Sequence, residues 1–228
     1  MPVQLDLFEE YAEKVKKRKT ASDYRNDPMF LRNQFTCDGK YEIPLIKKQT
    51  ISLENLELIS YTNTTSDEKE YLNCGVHFFV DDVRFDSTYS DPKKKMSVLS
   101  QYRFCCTPDF SIYGEMQTWR QIESVSHSRW VGAFWQSHYM AVIPTISWDK
   151  YNSYDFCFDG IEEGSIVVVS TYGCHNNRVA FLKGYYAMIE KINPEAIICY
   201  GNKFPEMKGN IYSVPIQHPK QFHRNMKR

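Results

Sequence analysis

Short apolar runs that each end in polar or acidic residues recur along this chain and constrain its fold most. Two of them are residues 77–82, with the sequence HFFVDD, and residues 103–111, with the sequence RFCCTPDFS. Such runs are too short for a free-standing helix, and they are typical of buried parallel strands whose C-terminal ends open onto a site. Three further runs share this pattern: residues 140–148, 165–173 and 196–201.

Segments with helical spacing separate these runs. The clearest one places five apolar residues on one helical face: Val179, Leu182, Tyr186, Ile189 and Ile192. Strands that alternate with helices predict an α/β domain built on parallel strands. Polar residues end nearly every strand rather than marking one switch point, which favours a partial or distorted (β/α) barrel-like form. The alternative is an open doubly wound sheet.

Three segments make up the predicted organisation of the chain. Residues 1–36 are expected to form an amphipathic, basic-ended helix and a linker, because apolar residues from Leu5 to Val15 recur at helical spacing. Residues 37–218 form a single α/β domain, and residues 219–228 form a basic C-terminal tail. The apolar face of the first helix either docks on the domain or binds a partner.

The formal net charge of zero hides an uneven distribution of charge. Residues 14–19 hold five basic residues and residues 219–228 hold four, and neither segment contains an acid. Of the 28 basic residues, 19 remain elsewhere against 28 acidic residues. The basic termini could contact a nucleic-acid backbone or a host protein, whereas the acidic body would repel phosphates. The alternative is that both termini are solvated tails.

The composition predicts a soluble cytoplasmic protein. No apolar run approaches the roughly 20 residues that cross a bilayer, so no membrane association is expected. The N-terminus does not have the pattern of an export signal. The seven cysteines are odd in number and scattered, which indicates reduced thiols rather than a disulfide framework.

Carboxylates at two predicted strand ends are candidates for a ligand or metal site. Adjacent aspartates in a strand point to opposite faces, so only one of Asp81 and Asp82 can share a direction with Asp109; we choose Asp82. Asp82 and Asp109 could hold Mg²⁺ or Mn²⁺ through oxygen ligands. They could instead bind a ligand by hydrogen bonds, or cap local turns together with Ser111.

Aromatic and hydroxyl side chains at three later strand ends are candidates for binding a flat ligand. Trp148, Tyr172 and Tyr200 could stack a nucleobase-like ring, and Ser170 lies two residues before Tyr172. Packing in the core or at the rim is the alternative for each ring.

Several classes of site are disfavoured by spacing. Neither a Cys-x-x-Cys nor a His-x-x-x-His pair occurs, which argues against zinc. Glycine-rich phosphate loops are also absent. Cys174 precedes His175, yet residues adjacent in sequence seldom reach the geometry of a nucleophile and its base.

Motifs spread over residues 37–205 resemble a known family. They are CDGKYxIP at 37–44, FVDD at 79–82, TPDFSxY at 107–113, VIPTxxW at 142–148, VSTxG at 169–173 and IIxYG at 197–201. With this pattern the chain resembles a domain-of-unknown-function family that is found in bacterial chromosomes, mobile elements and phages. The resemblance implies no established activity, and therefore no catalytic residue. If the chain is phage-encoded, its expected location is the cytoplasm of the host cell.

The sequence thus predicts a phage- or mobile-element-type protein that binds a small polar or nucleotide-like ligand at the C-terminal ends of its strands. One alternative is a non-enzymatic interaction protein that engages a host protein or nucleic acid through its termini. Another is a metal-dependent enzyme that cleaves phosphodiesters with Asp82 and Asp109.

Overall fold

The computed structural model describes residues 20–149 and 151–216. The predicted helix at residues 3–19 and the basic tail at residues 219–228 lie outside the described residues. The chain forms two compact units, Met1–Gln34 and Phe35–Arg228.

The described part of the first unit contains two short helices within the segment for which the sequence predicts a linker. The helix α1 spans Ala21–Arg25 and α2 spans Pro28–Leu31. Thr20 and Asp23 form a capping box, in which each side chain accepts a hydrogen bond from the other residue's backbone N–H. Asp27 caps α2, and a proline occupies its first position. These caps supply the local order that a linker lacks.

The second unit is built on parallel strands. A short antiparallel pair precedes them, formed by β1 (Cys37–Asp38) and β2 (Ile43–Pro44). The first parallel sheet contains β3 (Leu58–Ser60), β4 (Gly75–His77), β5 (Phe104–Cys106) and β6 (Val142–Ile143). The second contains β7 (Ile166–Ser170), β8 (Ala196–Tyr200) and β9 (Ile211–Val214). The predicted α/β class with parallel strands is therefore confirmed.

Both sheets follow the order of the sequence, from β3 to β6 and from β7 to β9. A parallel bridge between Thr145 and Val168 joins β6 to β7. No reversal of strand order, and so no switch point of the doubly wound type, occurs within either sheet. Among the described residues no pairing joins β9 to β3, so the strands do not form a closed barrel. A barrel-like curvature stays a prediction.

Helices connect the strands unevenly. The long helix α5 (Thr118–Ser137) links β5 to β6, and α6 (Arg178–Ile192) links β7 to β8. Two single-turn helices, α3 (Ser87–Ser90) and α4 (Met96–Leu99), lie between β4 and β5. Short 3₁₀ helices span Tyr61–Asn63, Asp82–Arg84, Tyr151–Asp155 and His175–Asn177.

Burial of the second sheet against α6 provides much of the core. All five residues of β8 are buried, as are the first four of β7. The α6 face that carries Tyr185, Met188 and Ile192 belongs to the same cluster as Val167 and Ile197. Fully burying an aliphatic side chain stabilises a fold by about 1.5–3 kcal/mol. This packing therefore holds the ends of β7 and β8 at a fixed edge.

The middle of α5 lies unusually close to the end of β5. A Cβ atom on Gly132 would lie 2.5 Å from Cγ2 of Thr107 and 2.6 Å from Cδ1 of Ile46. Only glycine allows this approach, because such short Cβ contacts do not occur in folded proteins. The approach brings the neighbouring Arg129 of α5 into the interior beneath the strand ends.

Candidate functional site

A cavity of about 370 Å³ lies at the C-terminal edge of the parallel strands. Segments that follow β4, β5, β6 and β7 line it together with α6. The lining residues are Phe79, Val80, Asp81, Asp109, Ser111, Ile112, Tyr113, Ile146, Ser147, Trp148, Ser170, Tyr172, Cys174 and Phe181. The carboxyl ends of parallel strands meet at one edge, which is why segments so distant in sequence share one cavity.

Most of the sequence-predicted site residues meet at this cavity. Five of the seven line it directly: Asp109, Ser111, Trp148, Ser170 and Tyr172. The remaining two, Asp82 and Tyr200, contact lining residues instead.

Asp82 connects two of the lining segments. Its carboxylate accepts hydrogen bonds from the backbone N–H of Ser111, at 3.0 Å, and from the Ser111 hydroxyl, at 2.7 Å. Because β4 ends at His77, Asp81 and Asp82 lie beyond the strand and its alternation does not govern them. Asp81 is the one that lines the cavity, whereas Asp82 fixes the segment after β5 to the segment after β4.

Tyr200, at the end of β8, packs behind a lining residue. Its ring is buried and stacks on Phe79, with centroids 5.2 Å apart and planes 13° apart. It also packs against His77, at 4.3 Å. Burial lowers the pKa of His77 to about 3, so this ring is neutral. Its Nδ1 accepts a hydrogen bond from the Phe79 N–H. Tyr200 and His77 thereby support the orientation of Phe79.

Trp148 forms a wall of the cavity next to α6. Its ring packs against Phe181, with centroids 5.0 Å apart, and against Phe158, at 6.1 Å. A Cβ atom on Gly184 would lie 2.1 Å from Nε1 of Trp148. Gly184 therefore allows the indole to approach the helix this closely.

Two exposed tyrosines stand at the opening of the cavity. Tyr172 is 64% exposed and Tyr113 is 58% exposed, and both line the cavity. The turn that carries Tyr172 is ordered by Ser170, whose Oγ accepts the Tyr172 N–H at 3.1 Å. These phenol rings have faces accessible to a ligand, which is the requirement for stacking.

Asp109 is the carboxyl group best placed to contact a ligand. The Ser147 hydroxyl donates a hydrogen bond to its Oδ1. Among the described residues none hydrogen-bonds Oδ2, so this oxygen remains an acceptor at the cavity wall. Burial raises the pKa of Asp109 to about 6, and the negative charge of Asp82 adds to the rise. The Ser147 hydrogen bond and the charge of Arg129 oppose it.

Arg129 is a buried cation behind the cavity. Its guanidinium donates hydrogen bonds to the carbonyl oxygens of Thr145, at 2.9 Å, and Cys157, at 3.1 Å, and more weakly to that of Asp159. Burial lowers its pKa to about 10, which leaves it charged at neutral pH. It is 2% exposed and does not line the cavity. Its charge therefore acts on Asp109 through space.

Sequence reasoning missed several residues of this site. Ser147 and Phe181 line the cavity although the sequence did not mark either as a candidate site residue, and Cys174 enters it from the turn after β7. The sequence does contain a signal for Arg129, which directly precedes the apolar stretch Trp130–Phe134. A basic residue beside such a stretch is a candidate for burial, and a buried charge requires hydrogen-bond acceptors around it. The apolar run at residues 77–82 predicts that Phe79 lies within a strand, whereas it lies two residues beyond the end of β4.

The metal prediction stays a prediction. Within residues 20–149 and 151–216, no group of three or more His, Cys, Asp or Glu side chains is arranged to hold an ion. Asp82 directs both carboxylate oxygens to Ser111, and Asp109 directs one to Ser147.

Within residues 20–149 and 151–216, no helix is both long and apolar enough to cross a membrane.

Comparisons with known proteins identify the family. The model of the domain of unknown function DUF4417 matches residues 35–218. The Gene 1 protein of Mycobacterium phage L5 is 34% identical over 179 residues, which cover 77% of this chain and 77% of that protein. The Gene 1 protein of Mycobacterium phage D29 is 33% identical over 181 residues, covering 77% of this chain and 66% of that protein. No solved structure matches the chain.

The family match includes every element that lines the cavity, from the end of β4 to α6. The predicted relationship to phage proteins of a domain-of-unknown-function family is thus confirmed. The chain belongs to the DUF4417 family.

Proposed function

We propose that this protein binds a small polar, nucleotide-like ligand with a planar ring in the cavity at the C-terminal ends of its strands. The observation that carries the proposal is the convergence of Asp109, Ser111, Trp148, Ser170 and Tyr172 on one cavity. These residues come from three separate segments of the chain, at and beyond the ends of β5, β6 and β7.

The dimensions and the lining of the cavity support a small ligand. Its volume of about 370 Å³ lies within the range of about 300–1,000 Å³ that is usual for small-molecule sites. Aromatic and aliphatic walls with a few converging polar groups are the usual composition of such sites. Here the polar groups include Asp109, Ser111, Ser147 and Ser170.

The positions of the aromatic rings support a planar ligand. Trp148 is held against α6, and Phe79 is held by Tyr200, so both are rigid walls. Tyr172 presents an exposed ring at the opening. Rigid rings stack a flat ligand at little loss of side-chain entropy.

Native mass spectrometry of the full chain tests the proposal. Protein purified from cells, and protein mixed with adenosine, guanosine, cytidine or uridine, should carry a small-molecule adduct. Trp148→Ala should remove the adduct, whereas Trp119→Ala should retain it, because Trp119 is 67% exposed on α5 and does not line the cavity.

Trp148→Ala also removes packing against α6, so circular dichroism must show that the variant is folded. Tyr172→Ala provides a second variant with few contacts to lose. The proposal is wrong if no adduct forms in any mixture, or if the Trp148 and Tyr172 variants retain it as fully as the Trp119 variant.

The proposed partners at the basic termini concern residues that lie outside the described part of the chain. Binding of a host protein or nucleic acid there is independent of the cavity, and salt dependence tests it separately.

A further inference from the structure

The charge of the cavity restricts which ligands it can hold. Asp81 and Asp109 are the two charged residues among its fourteen described lining residues, and both are acidic. The other polar groups are uncharged: the hydroxyls of Ser111, Tyr113, Ser147, Ser170 and Tyr172, the thiol of Cys174 and the indole N–H of Trp148. Hydroxyl groups can donate to an anion, but they do not neutralise its charge.

Two basic side chains close to the lining already have partners. Arg84 pairs with Asp81, with its Nε 3.9 Å from Oδ2, and both side chains are exposed to solvent. Arg129 donates to three backbone carbonyls, and its guanidinium does not reach the lining. Phosphate sites in proteins use a charged fork, a lysine or a helix N-terminus in direct contact with the oxygens. Arg129 offsets part of the charge of Asp109, but it is not placed to contact a phosphate.

Asp109 presents an acceptor to whatever enters. Ser147 occupies Oδ1, and Oδ2 has no hydrogen-bond partner among the described side chains and backbone groups. The oxygen of a carboxylate needs an N–H or O–H donor when a ligand displaces water from it, because a buried acceptor without a partner is unfavourable. A phosphate oxygen offers no such donor when it is ionised.

We propose that the cavity selects an uncharged or cationic planar ring that carries N–H donors, such as a nucleobase or nucleoside, and disfavours a ligand whose phosphate enters it. This inference rests on the proposed function and narrows it from nucleotide-like ligands to their unphosphorylated forms. Asp109 receives the ring's N–H donor, and the rings of Trp148 and Tyr172 contact its faces.

Coulomb's law gives the direction of this selection. Two like charges in neighbouring groups repel weakly in water and several times more strongly near a protein surface, where the effective dielectric constant is lower. Binding a phosphate beside Asp109 would therefore require either protonation of that carboxyl or a position of the phosphate out in solvent. An unphosphorylated ring avoids both requirements.

Calorimetric titration of the full chain at pH 7.5 tests the inference. The ligands are adenosine, guanosine and cytidine, each compared with its own 5′-monophosphate. The expected result is that at least one nucleoside binds about tenfold or more tightly than its monophosphate, because this repulsion weakens binding of the phosphate. Asp109→Asn should reduce this ratio, whereas Asp67→Asn, at an exposed loop position, should leave it unchanged.

The outcomes separate the inference from the proposed function. Monophosphates that bind as tightly as the nucleosides, or more tightly, overturn the inference and leave the proposed function in place. An unchanged ratio in Asp109→Asn overturns the role of Asp109. Absence of binding by all six compounds contradicts the proposed function itself. The ratio in the unmodified protein decides the question even if Asp109→Asn does not fold.

Discussion

The carboxylate of Asp82 accepts two hydrogen bonds from Ser111, one from the backbone N–H at 3.0 Å and one from the hydroxyl at 2.7 Å. The two residues lie 29 positions apart in sequence, at the ends of neighbouring strands. The pair therefore fixes two walls of the cavity relative to each other. The Ser111 Oγ also lies 2.9 Å from the hydroxyl oxygen of Tyr113, which extends the network to the cavity opening.

Removal of this pair should destabilise the fold and loosen the cavity. Asp82→Ala deletes both acceptors and should lower the free energy of unfolding by about 2–4 kcal/mol, because each of the two hydrogen bonds to the charged group contributes about 1.5–3 kcal/mol and solvent access at this partly buried position reduces the sum. Ser111→Ala keeps the backbone hydrogen bond and should lower it by less. Urea denaturation measures both, with Asp86→Ala as the control, since Asp86 is exposed and does not cap α3. Equal stability of the Asp82 and Asp86 variants would contradict the structural role.

Asp109 should make stability depend on pH. Its pKa in the folded protein is raised to about 6 from 3.8, chiefly by burial, with Asp82 and Arg129 as the charged groups that act on it. Because its pKa is raised in the folded protein, Asp109 ionises more easily in the unfolded chain, and its ionisation therefore destabilises the fold. This loss of folding stability is absent well below pH 4 and complete above about pH 7.

The isosteric variant Asp109→Asn tests this dependence, because its amide oxygen can still accept from Ser147. The free energy of unfolding of the variant minus that of the unmodified protein should increase by about 1–2 kcal/mol as the pH is raised from 5 to 8. Denaturation at the two pH values measures the gain. A difference that is independent of pH would show that Asp109 does not titrate in this range.

Much of the site was predictable because strand ends leave a clear sequence signal. The run at residues 165–173 predicts β7 and places Ser170 and Tyr172 at its end, where the structure has them. The direction of a side chain beyond a strand was not predictable from alternation. It depends on the residue at which the strand stops, and β4 stops at His77, so that Phe79 and Asp81 face the cavity while Asp82 contacts Ser111.

Other features required the tertiary packing. Tyr200 ends β8 as the pattern suggests, yet its ring is covered by Phe79, which comes from another sheet. Phe181 reaches the cavity only because Gly184 lets α6 approach Trp148. Contacts of this kind join elements more than 30 residues apart, and no local pattern specifies them.

Gly184→Ala should move Trp148 and so disturb the cavity. Alanine favours a helix over glycine by about 1 kcal/mol, but the new Cβ would lie 2.1 Å from Nε1 of Trp148. Overpacking of a core costs about 1–3 kcal/mol, so the clash should outweigh the gain in propensity. The expected result is a lower free energy of unfolding and a shifted tryptophan emission. Lys183→Ala, on the exposed face of the same helix, is the control. A stabilised Gly184→Ala variant with unchanged emission would contradict this packing.

The basic termini should confer salt-sensitive binding if they contact nucleic acid. Replacing the five basic residues of 14–19, or the four of 219–228, by glutamine in the full chain should weaken binding. Each lost phosphate contact should reduce the slope of log affinity against log salt by about 0.9 on duplex DNA. Fluorescence anisotropy with labelled DNA measures the slope. If both sets of substitutions leave binding unchanged, the nucleic acid contacts the acidic body instead. That result would contradict the prediction that the basic termini bind it.

The most direct measurement of ligand binding in the cavity is a calorimetric titration of adenosine, guanosine and cytidine into three forms of the full chain. These are the unmodified protein, Tyr172→Ala and Tyr139→Ala. Tyr172 lines the cavity, whereas Tyr139 is 99% exposed at the end of α5 and lies outside it. We predict that Tyr172→Ala weakens the tightest of the three ligands by about 5- to 100-fold, the range expected for one lost stacking contact. Tyr139→Ala should match the unmodified protein. Equal affinities in all three forms, or no binding by any of the three nucleosides, would contradict the account.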